Sequence, residues 1–182
     1  MKMPDAGDRA LVVLVPEPVS ALVDQWRSLY DPSFAIVPPH ITVAYPPFVP
    51  EAEWPSLRPA IAELLAQFSP FRVELTELGT FAGSSFYLWL KPEDDGSLAD
   101  IHAALAQRFP EHVPQGQYDY RSHVTIGVFD SQQELLEAQR RIQDGWQARD
   151  FLVEELVYLS PNNHSQWCVY SRLPLGEVSN VG

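Results

Sequence analysis

Two short segments of this 182-residue chain carry the residue types that proton-transfer chemistry needs, His40-Ile41-Thr42-Val43 and His123-Val124-Thr125-Ile126. Residues two apart on a strand project to the same side, so each His shares a face with its Thr while the intervening residue turns inward. With an unperturbed pKa of ~6.5, a histidine can take or give a proton at neutral pH. One imidazole can therefore deprotonate the attacking oxygen in phosphodiester transfer while the other protonates the leaving oxygen, each step worth roughly 10²- to 10⁴-fold. Threonine hydroxyls can hold the non-bridging oxygens as charge develops on them.

A single His-x-Thr is a weak signal, because a histidine on a strand is more often structural. The pairing is what carries weight here. The chain has four threonines (42, 76, 80 and 125) and five histidines, and two of those threonines stand two places after a histidine. Chance would produce such a double match roughly 0.5% of the time. No His-x-His, His-Glu-x-x-His or carboxylate cluster accompanies the pair, and the lone Cys168 excludes a cysteine-based zinc site. Neither a metal nor another cofactor is expected.

Both segments need rigid elements beneath them. Leu11 to Val15 reads as a buried strand, and Val19, Leu22, Val23, Trp26, Leu29 and Tyr30 recur at helical spacing. His40 to Tyr45 alternates His40, Thr42 and Ala44 against Ile41, Val43 and Tyr45, which places Tyr45 in the core. Trp54, Leu57, Ile61, Leu64, Leu65 and Phe68 predict a helix whose Pro59 implies a late start or a kink. Phe71 to Leu78 and Phe86 to Leu90 predict paired strands across a Gly79 to Ser85 connection. A helix capped by Ser97 follows, carrying Leu98, Ile101, Leu105 and Phe109. Ser122 to Phe129 alternates His123, Thr125 and Gly127 against Val124, Ile126 and Val128. Ser131 to Glu134 is a capping box for a helix through Leu135, Ile142 and Trp146, and strands at Phe151 to Leu159 and Trp167 to Leu173 close the chain. The order β-α-β-α-β-β-α-β-α-β-β reads as a duplicated α+β unit, each histidine strand flanked by helices, within one domain spanning residues 1–182.

Composition bounds the partners. Twelve Lys and Arg against 24 Asp and Glu give a formal charge of −12, which disfavours capture of an extended polyanion. Arg121 is the basic residue nearest to either motif in sequence. A small phosphorylated ligand fits this balance; an extended nucleic-acid surface does not. No stretch has the length of a membrane span or the pattern of a signal peptide, and a single cysteine suits a reducing compartment, so the expectation is a cytoplasmic monomer that does not engage membranes.

The paired His-x-Thr-x motifs in a duplicated α+β chain of this size resemble the 2H phosphoesterase superfamily, which includes 2'-5' RNA ligase-like proteins and cyclic nucleotide phosphodiesterases. The resemblance covers nearly the whole chain. It implies a bilobal fold of two antiparallel sheets around a central cleft and hydrolysis of 2',3'-cyclic or related phosphodiesters, with 2'-5' RNA-end ligation in some members. His40 and His123 would be catalytic, and Thr42 and Thr125 would bind phosphate. Pro39 and Tyr45-Pro46-Pro47-Phe48 match the flanks of the first motif. Around the second, Ser122 and Val128 stand where members resembling the ligase branch often carry Pro and a basic residue. Gly79-Thr80-Phe81 resembles the family's glycine-aromatic turn, which would let Phe81 stack on a base or ribose. Tyr120, with Tyr45 and Tyr118, is a further aromatic candidate, and Arg121, two residues before His123, a candidate phosphate partner. His102, His112 and His164 are expected to be structural or solvated. Two alternatives stand beside hydrolysis: RNA-end processing, and a module that binds a phosphorylated metabolite without turnover.

Overall fold

The computed structural model describes residues 9–83, 85–114 and 119–176. Their order is β1 (Ala10–Leu14), α1 (Val19–Tyr30), β2 (His40–Ala44), α2 (Trp54–Leu65), β3 (Phe71–Ala82), β4 (Phe86–Glu93), α3 (Ser97–Arg108), β5 (Val124–Phe129), α4 (Gln132–Gly145), β6 (Arg149–Val153), β7 (Glu155–Pro161) and β8 (Trp167–Pro174). The strands form two four-stranded antiparallel sheets, β2-β1-β7-β8 and β5-β4-β3-β6. This is the two-lobed α+β architecture expected from the duplication. The first sheet packs on α2 and α3 and the second on α1 and α4. Leu11, Val13, Ile41, Val43, Leu156 and Tyr158 turn inward from the first sheet, and Val73, Leu75, Leu88, Leu90, Val124 and Ile126 from the second.

The halves exchange helices. Helix α1 leads into β2 yet lies against β5, and α3 precedes β5 yet lies against β2. Each histidine strand is thus an edge strand of its own sheet, braced by the helix that belongs to the other half. Gly127 permits this on one side: a Cβ there would stand 2.7 Å from Cβ of Tyr30 and 2.9 Å from the Phe129 ring.

A bulge recurs at the same place in both halves. On β2, Thr42 pairs with Val12 but Ala44 pairs with Leu11; on β5, Thr125 pairs with Trp89 but Gly127 pairs with Leu88. One extra residue, Val43 or Ile126, resets the alternation directly after each His-x-Thr. Three expectations are corrected by that reset. Ala44 and Gly127 are buried rather than sharing the polar face, Val128 is half-buried, and Tyr45, expected in the core, is 43% exposed.

Other departures have local causes. Phe151 to Leu159 is two strands, because the chain leaves the second sheet after Val153 and joins the first at Glu155. Gly79, Thr80 and Phe81 extend β3 rather than forming a turn. Ser97 is the first residue of α3 and not its cap. Gly96, at φ 101°, occupies the cap position, while the Asp95 and Asp94 carboxylates accept from the Ser97 and Leu98 N–H groups at 3.2 and 2.9 Å. Helix α2 begins at Trp54 with Pro59 inside it. The Ser131 cap of α4 is present, its hydroxyl accepting from the Glu134 N–H at 3.3 Å. Among the described residues no helix is long and apolar enough to cross a membrane.

Candidate active site

His40 opens β2, and His123 stands one residue before β5. Both rings are fixed in the same way. His40 Nδ1 lies 2.8 Å from the Pro38 carbonyl and His123 Nδ1 lies 2.9 Å from the Arg121 carbonyl, each two residues back along the chain. A carbonyl can only accept, so each Nδ1 carries the proton and each Nε2 keeps its lone pair for a ligand.

His40, Thr42, His123 and Thr125 line one cavity of about 260 Å³. The four residues singled out by pattern therefore meet. Two tyrosines tie their strands together: Tyr120 O–H donates to the Thr42 carbonyl at 3.1 Å, and Tyr45 O–H donates to the Arg121 carbonyl at 3.3 Å. His102 stacks on Tyr120 with ring centroids 4.2 Å apart and bonds through Nδ1 to the carbonyl of Val43, the bulge residue, at 2.8 Å. Burial raises the Tyr120 pKa well above that of an ordinary phenol, with the Tyr45 hydroxyl adding to the effect, so its proton stays in place as a donor.

Both catalytic candidates are held neutral. Burial lowers the His40 pKa to about 4, opposed by the bond to Pro38 and reinforced by the charges of Arg27 and His123. Burial also lowers His123, again opposed by its carbonyl partner and reinforced by Arg121. That each histidine responds to a neighbouring cation means that a bound phosphate anion would shift both the other way.

Phe81, Arg121 and Tyr120 stand behind the cavity instead of lining it. Phe81 meets the His123 ring edge-on at 5.2 Å and stacks on Trp89 at 4.8 Å, and the Arg121 guanidinium lies over the Phe81 ring at 5.6 Å. These side chains buttress His123. Tyr118 lies outside the described residues. His112 faces Glu53 at 3.6 Å, and His164 is exposed.

Arg27 and Asp31, which no motif singles out, are also in the cavity wall. Both side chains are only 3% exposed. Arg27 gives two bonds to one Asp31 oxygen, from Nε at 3.0 Å and Nη2 at 2.8 Å, and others to Asp24 and to the Val37 carbonyl at 2.8 and 2.7 Å. The other Asp31 oxygen accepts from the Ser33 N–H at 2.8 Å. A signal for the pair was available in the sequence: Val19, Val23, Arg27 and Asp31 follow at intervals of four, which puts opposite charges on the face the valines bury. Among the described residues no group of three or more His, Cys, Asp or Glu side chains is placed to hold a metal ion.

Two lobes that each deliver a His-Thr pair to a shared cleft define the 2H phosphoesterase class. The comparisons with known proteins agree. A model of the 2'-5' RNA ligase superfamily matches residues 15–165, and the chain belongs to that family. A protein of Halalkalibacterium halodurans that bears the name phosphoesterase is 27% identical over 168 residues, spanning 91% of this chain and 96% of that protein. Among solved structures, TT0787 of Thermus thermophilus superimposes with a TM-score of 0.66 at 20% identity, over 93% of this chain and 99% of the other. E. coli LigT complexed with 3'-AMP gives 0.61 at 14% identity, over 95% and 100%. These structural likenesses are of fold.

Proposed function

We propose that this protein is a phosphodiesterase that hydrolyses a small cyclic phosphodiester of the 2',3'-cyclic nucleotide type without a metal ion. The observation that carries the reading is that both histidines, each locked through Nδ1 to a carbonyl, offer a free Nε2 at one cavity that also holds two threonines. His40, the more firmly neutral of the two as its pKa of about 4 implies, is the general base and takes a proton from water as its oxygen attacks phosphorus. The P–O bond to one ribose oxygen breaks, and His123 gives that oxygen its proton. Phosphate charge returns His123 to its protonated form on binding, and proton exchange with solvent resets both rings afterwards. Thr42 and Thr125 hold the non-bridging oxygens.

Size and charge support a small substrate. A cavity of about 260 Å³ lies just under the range usual for ligand sites, and a formal charge of −12 opposes a long polyanion. The fold is also that of a protein which binds 3'-AMP. The test is turnover of a 2',3'-cyclic mononucleotide in EDTA. His40→Ala and His123→Ala should each lower kcat by roughly 10²- to 10⁴-fold, with EDTA having no effect. Activity that survives both single variants, or tight binding of the nucleotide with no product, would overturn the proposal.

A further inference from the structure

The two halves present different surfaces beside their threonines. In the second half, the residue paired with Thr125 is Trp89. Its indole lies flat over Gly79, where a Cβ would be 2.2 Å from the ring, and Phe81 stacks upon it. Arg121 in turn covers the Phe81 ring. These aromatic faces are already occupied by one another and by a cation. In the first half, the residue paired with Thr42 is Val12, and the cavity continues past it to Leu159 and Trp167. Trp167 is half-buried and makes no ring contact with another aromatic or cationic side chain among the described residues. Its backbone N–H donates to the Ile36 carbonyl at 2.8 Å, which pins the start of β8 to the 31–39 loop, and Val37 of that loop lines the same cavity.

From these facts we infer that the organic group of the substrate is a flat aromatic ring, of nucleobase size, bound on the first half of the cleft between Trp167 and Val37, with Phe81 excluded as its platform. This rests on the phosphodiesterase reading of the histidine pair and extends it to the rest of the ligand. The dimensions suit it. Ile36, whose carbonyl holds the Trp167 N–H, stands four residues before His40, at most about 14 Å of chain at ~3.5 Å per residue, within the reach of a phosphate, a sugar and a base in line. The floor under that path is apolar, made by Ala10, Val12 and Leu159, so it favours a ring over a second charged group. Such stacking is tolerant of which base is present.

Two ligands separate the subsites: inorganic phosphate reads the His-Thr end alone, and a nucleoside 3'-monophosphate reads both ends. Calorimetric titration of each gives a ratio of affinities. Trp167→Ala should lower that ratio roughly 5- to 150-fold, the cost of losing one base–aromatic stack, by weakening the nucleotide and not the phosphate. Trp167→Tyr should retain most of it, and Val37→Ser, a milder change on the loop, should lower it in the same direction if Trp167→Ala fails to fold. Phe81→Ala should move both affinities together and leave the ratio unchanged. A ratio that collapses in Phe81→Ala, or that neither Trp167→Ala nor Val37→Ser alters, overturns the inference while leaving the histidine pair intact. Failure of the wild type to bind either ligand would remove the phosphate site itself, and this inference with it.

Discussion

The two halves repeat one local device and then diverge around it. In both, an edge strand carries His-x-Thr, a bulge follows directly, and the histidine is anchored through Nδ1 to the carbonyl two residues before it. In the first half the charged neighbours of the histidine are the buried Arg27–Asp31 pair; in the second the histidine is backed by aromatic rings, the stack of Trp89 and Phe81 on Gly79. Duplication supplies two histidines held in the same way, and the divergence gives them unequal surroundings. Unequal surroundings favour one of the two singly protonated forms of the pair over the other.

The largest effect is expected from removing the ion pair of the first half. Arg27→Leu leaves the Asp31 carboxylate buried with its main partner gone, which should cost about 3–5 kcal/mol of stability by denaturant titration. Arg27→Leu/Asp31→Leu should recover much of it, and a double variant no more stable than the single would contradict the pairing. Arg27 holds the His40 pKa down while Asp31 holds it up, so in the single variant that pKa should rise. On the other side, Gly79→Ala drives a methyl group into the Trp89 indole. It should cost about 1–3 kcal/mol by overpacking and lower kcat through the displaced His123, with the His40 limb of the pH profile unmoved. Wild-type stability in Gly79→Ala would mean that the indole does not need that glycine.

Much of this was legible from pattern alone. Period-two alternation gave the His-Thr faces, and helical spacing gave all four helices within a few residues. The failures share a cause, which is that alternation continues only until tertiary structure resets it. The bulges at Val43 and Ile126 reversed the facing of Tyr45, Ala44 and Gly127, and nothing in those residue types announces an extra residue in a ladder. The division between β6 and β7 did leave a trace: the inward residues are Phe151 and Val153 before it but Leu156 and Tyr158 after it, a change of phase at Glu154 and Glu155. Phe81 followed from a resemblance of type, glycine then aromatic, yet its partner Trp89 comes from the neighbouring strand, and only the register between β3 and β4 reveals that the ring is already stacked.

In the proposed mechanism one histidine from each half carries one of the two proton transfers, with His40 as the base. The pH dependence of kcat/KM on a 2',3'-cyclic mononucleotide tests it most directly, because it reports the free enzyme. His40 must be unprotonated, which it is above about pH 4, and His123 must be protonated, with a pKa lowered from 6.5. The expected profile is a bell lying between those limits, with its optimum on the acid side of pH 6.5, whose acidic limb moves upward in Arg27→Leu. A profile centred at or above neutrality, or an acidic limb that Arg27→Leu leaves in place, would contradict it.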